Sequence, residues 1–347
     1  MTQSTSSMRT LGLDLGDEHV HFALVDSQGQ LLREGRVRTT SSDLQKLVHQ
    51  LDASRAVLEA STHSPWIDRE LRAEGLEVLV VNPNRMRAVS DSVRKTDRND
   101  ARLLAHLGHA GVLLWEVHHR SEEAQRSLQL LMARDKVVGC RTTLINQVRG
   151  QLKSLGHRLR GVDASRFHTL RDDALRNNPD LGPLFTLIQN LTTTIEAYDD
   201  QLAGLAEQNP VAKLLMTIPG VGPITALAYI YVLDDPTRFK RGRQVGAYLG
   251  LTPRIDQSGS IDKALPISKA GNGFLRRLLV TAGMASLRDG LADSALRDWG
   301  LKIRERGGMA ARKRAAVAVA RKLAVIMHRM WINNTPWMPY PNGRPTE

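Results

Sequence analysis

The sequence predicts an α/β domain followed by a mainly helical remainder, and three observations carry that expectation. Strand-length runs of alternating or continuous apolar residues recur up to about Gly111, separated by helix-period stretches. From Arg120 the apolar spacing changes to three and four and stays helical. Beyond "LLMTIPGVGPITALAYIYVL", glycines and prolines break helices rather than strands.

The elements follow in order. "TLGLDLG", "HVHFALVDS" and "LLREGRVRTT" read as three strands joined by short turns, most simply an antiparallel meander. A Ser-capped helix "SSDLQKLVHQL", a strand "RAVLEAS", a helix "SPWIDRELRAEG" with Pro65 near its first turn and a strand "LEVLVVNP" come next. A helix beginning near Thr96 closes the unit. Three antiparallel strands and then α-β-α-β-α is the order of a ribonuclease H-like domain. An actin-like or sugar-kinase ATPase also opens with an Asp- and Gly-containing strand and a meander, but a second glycine-rich phosphate loop is not found. Residues 1–112 are assigned to this domain. Residues 113–207 hold two long helix-period stretches, a helical coiled-coil spacer that could also join subunits. Residues 208–333 form the third part, and 334–347 a loose tail in which Trp337 and Tyr340 are possible anchors.

Bulk properties narrow the function. The 347-residue chain carries a net charge of +12. Between Arg238 and Arg329 there are 20 Lys and Arg against 6 Asp and Glu, so the basic surface is concentrated in the C-terminal third. Such a local excess points to a polyanion, nucleic acid above all. The single cysteine, Cys140, excludes an intrachain disulfide and a cysteine-based zinc site, and reads as a packed small residue. The first ten residues lack an apolar core and no apolar run approaches membrane-spanning length, so a soluble protein of a reducing, cytoplasmic setting is expected.

Against this positive background the acidic residues stand out. Asp14 interrupts the apolar strand "LGLDLG" and Glu59 interrupts "AVLEAS". Burying a carboxylate in a strand is costly unless it is paired or bound to a metal. Asp97 and Asp100 lie three apart at a helix start, so they share a face. Asp and Glu are favoured there by the helix dipole alone, and only the other two carboxylates give the pair a further meaning. A ribonuclease H-like sheet would gather all four. Hard oxygen ligands of this kind hold Mg²⁺, often as two ions about 3.5–4 Å apart that stabilise attacking and leaving oxygens in phosphoryl transfer. Asp17, Glu18 and Asp26 read as turn and surface charges.

The succession "GLDLGDEHVHFALVD", "EASTHSPW", "KTDRNDARLLA", "TIPGVGPITALA", "YLGLTPR" and "ISKAGNGFLRRLL" resembles the DEDD-type transposases of the insertion-sequence one-ten family, over nearly the whole chain. The resemblance implies a RuvC-like domain with the tetrad Asp14, Glu59, Asp97 and Asp100 as Mg²⁺ ligands, a coiled-coil spacer and a transposase domain. It also implies a bacterial, nucleoid-associated recombinase guided by a bridge RNA, acting on donor and target DNA as a dimer or tetramer. A serine nucleophile is implied too. Counting back ten residues from Ser268 reaches Ser258, but the segment "DQSGSIDKALPISK" departs from the family's Ser-Ser-Gly-Gly at Gln257 and Ser260, which leaves Ser260 as a competitor.

Without the resemblance a glycine-flanked serine is a turn residue, since a hydroxyl needs a base or a metal to become a nucleophile. Arg254, Lys263, Lys269, Arg276 and Arg277 surround the segment as candidate phosphate contacts, or as ordinary surface charge. "IPGVGPITA" resembles a helix-hairpin-helix turn, in which backbone amides at Gly220 and Gly222 would grip a phosphate. Two rivals stay open: a metal-dependent junction nuclease using water, and a non-catalytic nucleic-acid-binding protein.

Overall fold

The computed structural model describes residues 8–83, 96–111, 116–159, 162–170, 178–258, 261–341 and 343. The chain divides into two compact units, Met1–His119 and Arg120–Glu347.

The first unit is built on β1 (Thr10–Leu15), β2 (His19–Val25), β3 (Leu31–Arg38), β4 (Arg55–Glu59) and β5 (Glu77–Val81), in the order β3-β2-β1-β4-β5. β1 runs antiparallel to β2 and parallel to β4, so the meander and the two crossover strands form one mixed sheet. This is the ribonuclease H-like arrangement. Strand parity sorts the side chains. Leu11, Leu13, Phe22, Leu24, Leu58, Val78 and Val80 face one way, into a core shared with Leu44 and Leu47 of α1 (Ser41–Leu51) and Ile67 and Leu71 of α2 (Ser64–Ala73). The opposite face carries Gly12, Asp14, His21, Ala23, Val57 and Glu59, and is covered by α3 (Asp97–His109). Each helix starts where its sequence supplies a cap or a proline: Thr40 accepts from Asp43 N, Pro65 occupies the first turn of α2, and Thr96 accepts from Asn99 N.

The second unit begins with α4 (Glu122–Ser154), capped by Ser121, and α5 (Gly182–Gln208), entered through Pro183. The Arg134 guanidinium holds Asp199 across the pair through Nε and Nη2, at 2.5 and 3.0 Å. A small separate core of Ile145, Val148, Leu152, Phe167, Phe185 and Ile188 closes the far end, with the two phenylalanine rings stacked at 5.7 Å. α6 (Pro210–Met216) and α7 (Pro223–Leu233) follow, and every residue of α7 from Thr225 onward is buried. A helix apolar all round belongs inside, and Tyr229 keeps its hydroxyl satisfied by donating to Ala324 O at 2.6 Å. Around it lie α8 (Arg243–Tyr248), α9 (Gly273–Ser286), α10 (Ala295–Arg304) and α11 (Gly308–Asn333). A two-stranded antiparallel hairpin, β6 (Pro253–Ser258) and β7 (Ile261–Ile267), interrupts the helices.

The two units meet between His119 and Arg120, and Leu131 of α4 and Leu202 of α5 pack with Leu227 and Leu275 of the later helices. In the described part of the tail, Trp337 N donates to Thr217 Oγ1, the Tyr340 hydroxyl donates to Asp298 and Pro339 O accepts from Ala295 N, so both residues read as possible anchors are held. Cys140 is exposed rather than packed, because the side of α4 that turns inward carries Leu131, Arg141 and Ile145 instead. Among the described residues no helix is long and apolar enough to cross a membrane.

Candidate functional site

Close packing of α3 on the sheet places the acids. At Gly12 an added Cβ would lie 2.1 Å from Ala101 O and 2.4 Å from Ala105 N, so the helix rests on the strand's backbone. Gly108 repeats the device one end along, where a Cβ would meet Val57 Cγ2 at 2.2 Å. Asp14 is two residues beyond Gly12 on β1, and Asp97 is one turn before Ala101 on α3, so the same contact line ends in two facing carboxylates. Asp14 pairs in register with His21 on β2. On the other side Leu13 pairs with Leu58, and Asp14 and Glu59 each follow by one residue on the helix-covered face.

Glu34 on β3 fixes the helix from the side. It accepts from Arg102 Nε and Nη2 at 2.6 and 2.7 Å and also binds Arg98, so two cations of the first turns of α3 are held by one largely buried carboxylate. The strand ends are fixed as well. His63, just past β4, lies 2.9 Å through Nε2 from Asp17, just past β1, while its Nδ1 accepts from the Trp66 indole at 3.2 Å. Asp17 therefore has a partner that its reading as a turn charge did not foresee.

Electrostatics record how close the acids are. Burial first, and then the charges of Asp97, Asp100 and Glu59, push the Asp14 carboxyl from 3.8 up to about 6, with His21 pulling in the opposite direction. Ligand atoms of Asp14, His21 and Asp97 all lie within 4.8 Å of one another, and His21 Nδ1 is 3.6 Å from Asp97 Oδ2. Carboxylates that repel one another, with one imidazole nitrogen beside them, fit a divalent metal ion. His21 was not among the sequence candidates. Its register opposite Asp14 was the available signal, because cross-strand partners share a face.

A second polar network lies at the start of α2. Ser64 Oγ is 3.0 Å from His119 Nε2, and His119 Nδ1 is 2.9 Å from Asp68 Oδ2. Burial would raise the Asp68 carboxyl, but hydrogen bonds from His119 and Arg72 outweigh it and hold the group below its ordinary value. The order Ser-His-Asp invites comparison with a hydrolase triad. Ser64 is fully buried and its Oγ already meets Ser61 N and O, so the network fastens the helix start and presents no nucleophile.

In the second unit, Ser258 ends β6 and pairs with Ile261, while Ser260 lies outside the described residues. Lys263 pairs with Asp256 in the same hairpin. Arg254 and Lys269 are exposed, and Lys269 has a left-handed backbone, φ 57°. The other two predicted phosphate contacts have internal partners. Arg276 Nη1 donates to Leu249 O and Ala270 O, bracing the two loops at the hairpin's foot, and Arg277 binds Asp135 of α4 at 2.6 Å. Gly220, φ 89°, and Gly222 lie exposed in the turn between α6 and α7. Only glycine adopts the first conformation without strain.

A ribonuclease H-like sheet with four acids at one end, joined to a basic helical unit, defines the class. The description "Transposase IS116/IS110/IS902 family" fits residues 212–297, and the DEDD transposase model of the IS110 group fits residues 11–157. The chain is 31% identical over 336 residues to the transposase for insertion sequence element IS1111A of Coxiella burnetii, covering 94% of this chain and 90% of that one. It is 26% identical over 293 residues to a probable family 20 transposase of Pseudomonas aeruginosa, covering 81% and 85%. Thermus thermophilus RuvC, solved in complex with a Holliday junction substrate, is similar over 30% of this chain and 96% of its own, at 13% identity and a TM-score of 0.25. The chain belongs to the IS110 family of DEDD transposases.

Proposed function

We propose that this protein is a DNA recombinase that excises and inserts its own insertion sequence, with Asp14, Glu59, Asp97 and Asp100 as the metal-holding tetrad and Ser258 as nucleophile. The observation that carries the reading is the convergence of the tetrad: the register of β1 and β4 and the packing of α3 on Gly12 bring four acids from three elements to one end of the sheet. Mg²⁺, when bound, would supply charge stabilisation for oxygens in phosphoryl transfer. The chain's own residues do the rest. Asp14 and Glu59 present oxygens from rigid strand ends, Asp97 and Asp100 from a helix start, and Glu34 keeps that helix in place through Arg98 and Arg102.

The serine step conserves phosphodiester energy. Its oxygen bonds to phosphorus as the bond to a deoxyribose oxygen breaks, and that oxygen leaves with a proton. A deoxyribose hydroxyl of the new partner strand later displaces the serine, so joining needs no ATP. Guidance by RNA rests on the family resemblance alone: base pairing would choose the sites, and the protein would read backbone and shape. Subunits would assemble as a dimer or tetramer, and exposed Gly220 and Gly222 would offer amides to a phosphate.

A water-using junction nuclease is the second reading, because the acidic cluster is complete within the first unit, which contains neither Ser258 nor Ser260. One experiment separates them. Purified protein, its associated RNA, Mg²⁺ and labelled donor and target DNA are incubated and denatured, and label remaining on the protein is measured. A covalent adduct that disappears in Ser258→Ala is expected. An adduct that survives in Ser258→Ala and disappears in Ser260→Ala moves the nucleophile, and nicked DNA without any adduct sinks the serine mechanism.

A further inference from the structure

The cations of the second unit divide into those with internal tasks and those without. Arg134, Arg277, Arg297 and Arg304 each face a carboxylate. Arg238 donates to Leu233 O and lies over the rings of Phe239 and Tyr248 at 5.2 and 5.5 Å. Lys322 sits 3.8 Å above the Trp299 ring. Four others gather in one place. Lys240, Arg241, Arg243 and Arg321, from the segment before α8, from α8 itself and from α11, line a cavity of about 550 Å³ together with Gln244 and Thr252.

All four side chains are exposed, and among the described residues none is ion-paired to a carboxylate. The acids nearest in sequence are already engaged: Asp234 accepts from Ser121 N and Oγ, and Asp235 from Thr237 N and Oγ1. Cations held this close repel one another, so the cavity favours a visiting anion. Its lining suits phosphate better than a base. The neighbouring aromatic ring, Tyr248, is taken up by Phe239 and Arg238, which leaves no stacking platform. Position adds a second argument. Thr252 immediately precedes β6 and its carbonyl accepts from Ser268 N just past β7, so the cavity lies at the foot of the hairpin that ends in Ser258. Six strand residues at about 3.3 Å each put roughly 20 Å between the two. Arg314, exposed two turns before Arg321 on α11, prolongs the positive stripe by about 10 Å.

We infer that this groove grips the sugar-phosphate backbone of the nucleic-acid strand that passes the foot of the β6–β7 hairpin, without regard to base sequence. The inference rests on the proposed reading that the chain handles nucleic acid, and it locates where the backbone is held. The probe is a fluorescent 30-nucleotide oligomer of mixed sequence, offered as duplex DNA, single-stranded DNA and RNA, and anisotropy is followed as salt is varied. Arg243→Gln/Arg321→Gln is compared with Lys302→Gln/Arg306→Gln, an equal charge change at exposed positions outside the groove, both checked for native circular dichroism. The groove pair is expected to bind about tenfold or more weakly, and its slope of log affinity against log salt to fall by about 1.8 on duplex or about 1.4 on a single strand. The control pair should leave both nearly unchanged. Equal losses in the two pairs would overturn the groove and leave only diffuse attraction. Undiminished binding by the groove pair would overturn it while nucleic-acid handling stands, whereas a wild-type protein that binds none of the three probes would sink the proposed function too. The probe losing most affinity identifies the strand.

Discussion

The two units concentrate charge of opposite sign, and they do so by different means. In the first, Asp14, Asp97 and His21 are brought together by backbone packing, on strands and a helix that rests against Gly12, with Asp100 and Glu59 near enough to raise the Asp14 carboxyl. In the second, four cations gather at the surface on long, exposed side chains. The acidic site is therefore stiff and sensitive to small changes far from any carboxylate, while the basic groove is soft and tolerant of single replacements. A site that must fix metal–oxygen geometry to tenths of an ångström needs the first construction. One that tracks a polymer backbone works with the second.

The sharpest way to break this contrast is Gly12→Val. The new side chain would start 2.1 Å from a backbone oxygen, and α3 would have to lift. A loss of about 3 kcal/mol or more is expected by denaturant unfolding, with loss of metal binding by calorimetry. Unchanged stability would mean that the helix does not rest on the strand as described. Glu34→Gln should come next. It leaves Arg98 and Arg102 without their shared carboxylate and should cost about 2 kcal/mol, and it should also weaken metal binding although Glu34 touches no metal ligand atom. Metal affinity falling with no change in stability would count against a purely positional role.

His21→Gln probes the site's composition. An imidazole donor favours Mn²⁺ or Co²⁺ over Mg²⁺, so Mn²⁺ affinity, read by electron paramagnetic resonance, should fall about tenfold and the Mg²⁺ affinity less. Equal losses would make His21 a mere ion partner of Asp97. The pH dependence follows from Asp14. Because its carboxyl is raised from 3.8 to about 6 in the folded protein, proton uptake stabilises the metal-free fold below that range, and this contribution fades as pH rises through about 6. Protons and metal compete for the same oxygens, so divalent-ion affinity should drop as pH falls below about 6, and Asp14→Asn should flatten that dependence while weakening binding throughout. The smallest effect belongs to the second unit: Tyr340→Phe removes one partly exposed hydrogen bond to Asp298 and should cost no more than about 1 kcal/mol in thermal unfolding.

Much of the first unit was legible because strand parity is binary. An acid amid apolar residues in "LGLDLG" or "AVLEAS" has one face or the other to occupy, and the order of elements fixed the sheet that joins them. His21 escaped notice since histidine is unremarkable in a strand until register sets it opposite Asp14. Glu34 escaped for a different reason: its partners Arg98 and Arg102 are more than sixty positions away in sequence, and nothing local marks the pair. In the second unit the charge excess was plain, but which cations are free was not. Arg276 and Arg277 look like surface charges in "FLRRLL", yet tertiary contacts employ both, while Lys240, Arg243 and Arg321 are left over only because of what their neighbours already bind. The hairpin that bears Ser258 lacks the alternation that would announce strands, with Asp256, Gln257 and Ser258 following one another in β6.

The burial of α7 against the much later α11 has a consequence for biosynthesis. Tyr229 and the residues around it find their cover in Ala320, Leu323 and Ala324, so the core of the second unit cannot close until those residues have been made. The four acids and the helix that positions two of them are complete by His109. On a ribosome, where folding proceeds from the N-terminus, the unit that carries the four acids is ready first and the unit that carries Ser258 last. The chemistry proposed above, which draws on both units, would thereby be withheld from a half-made chain.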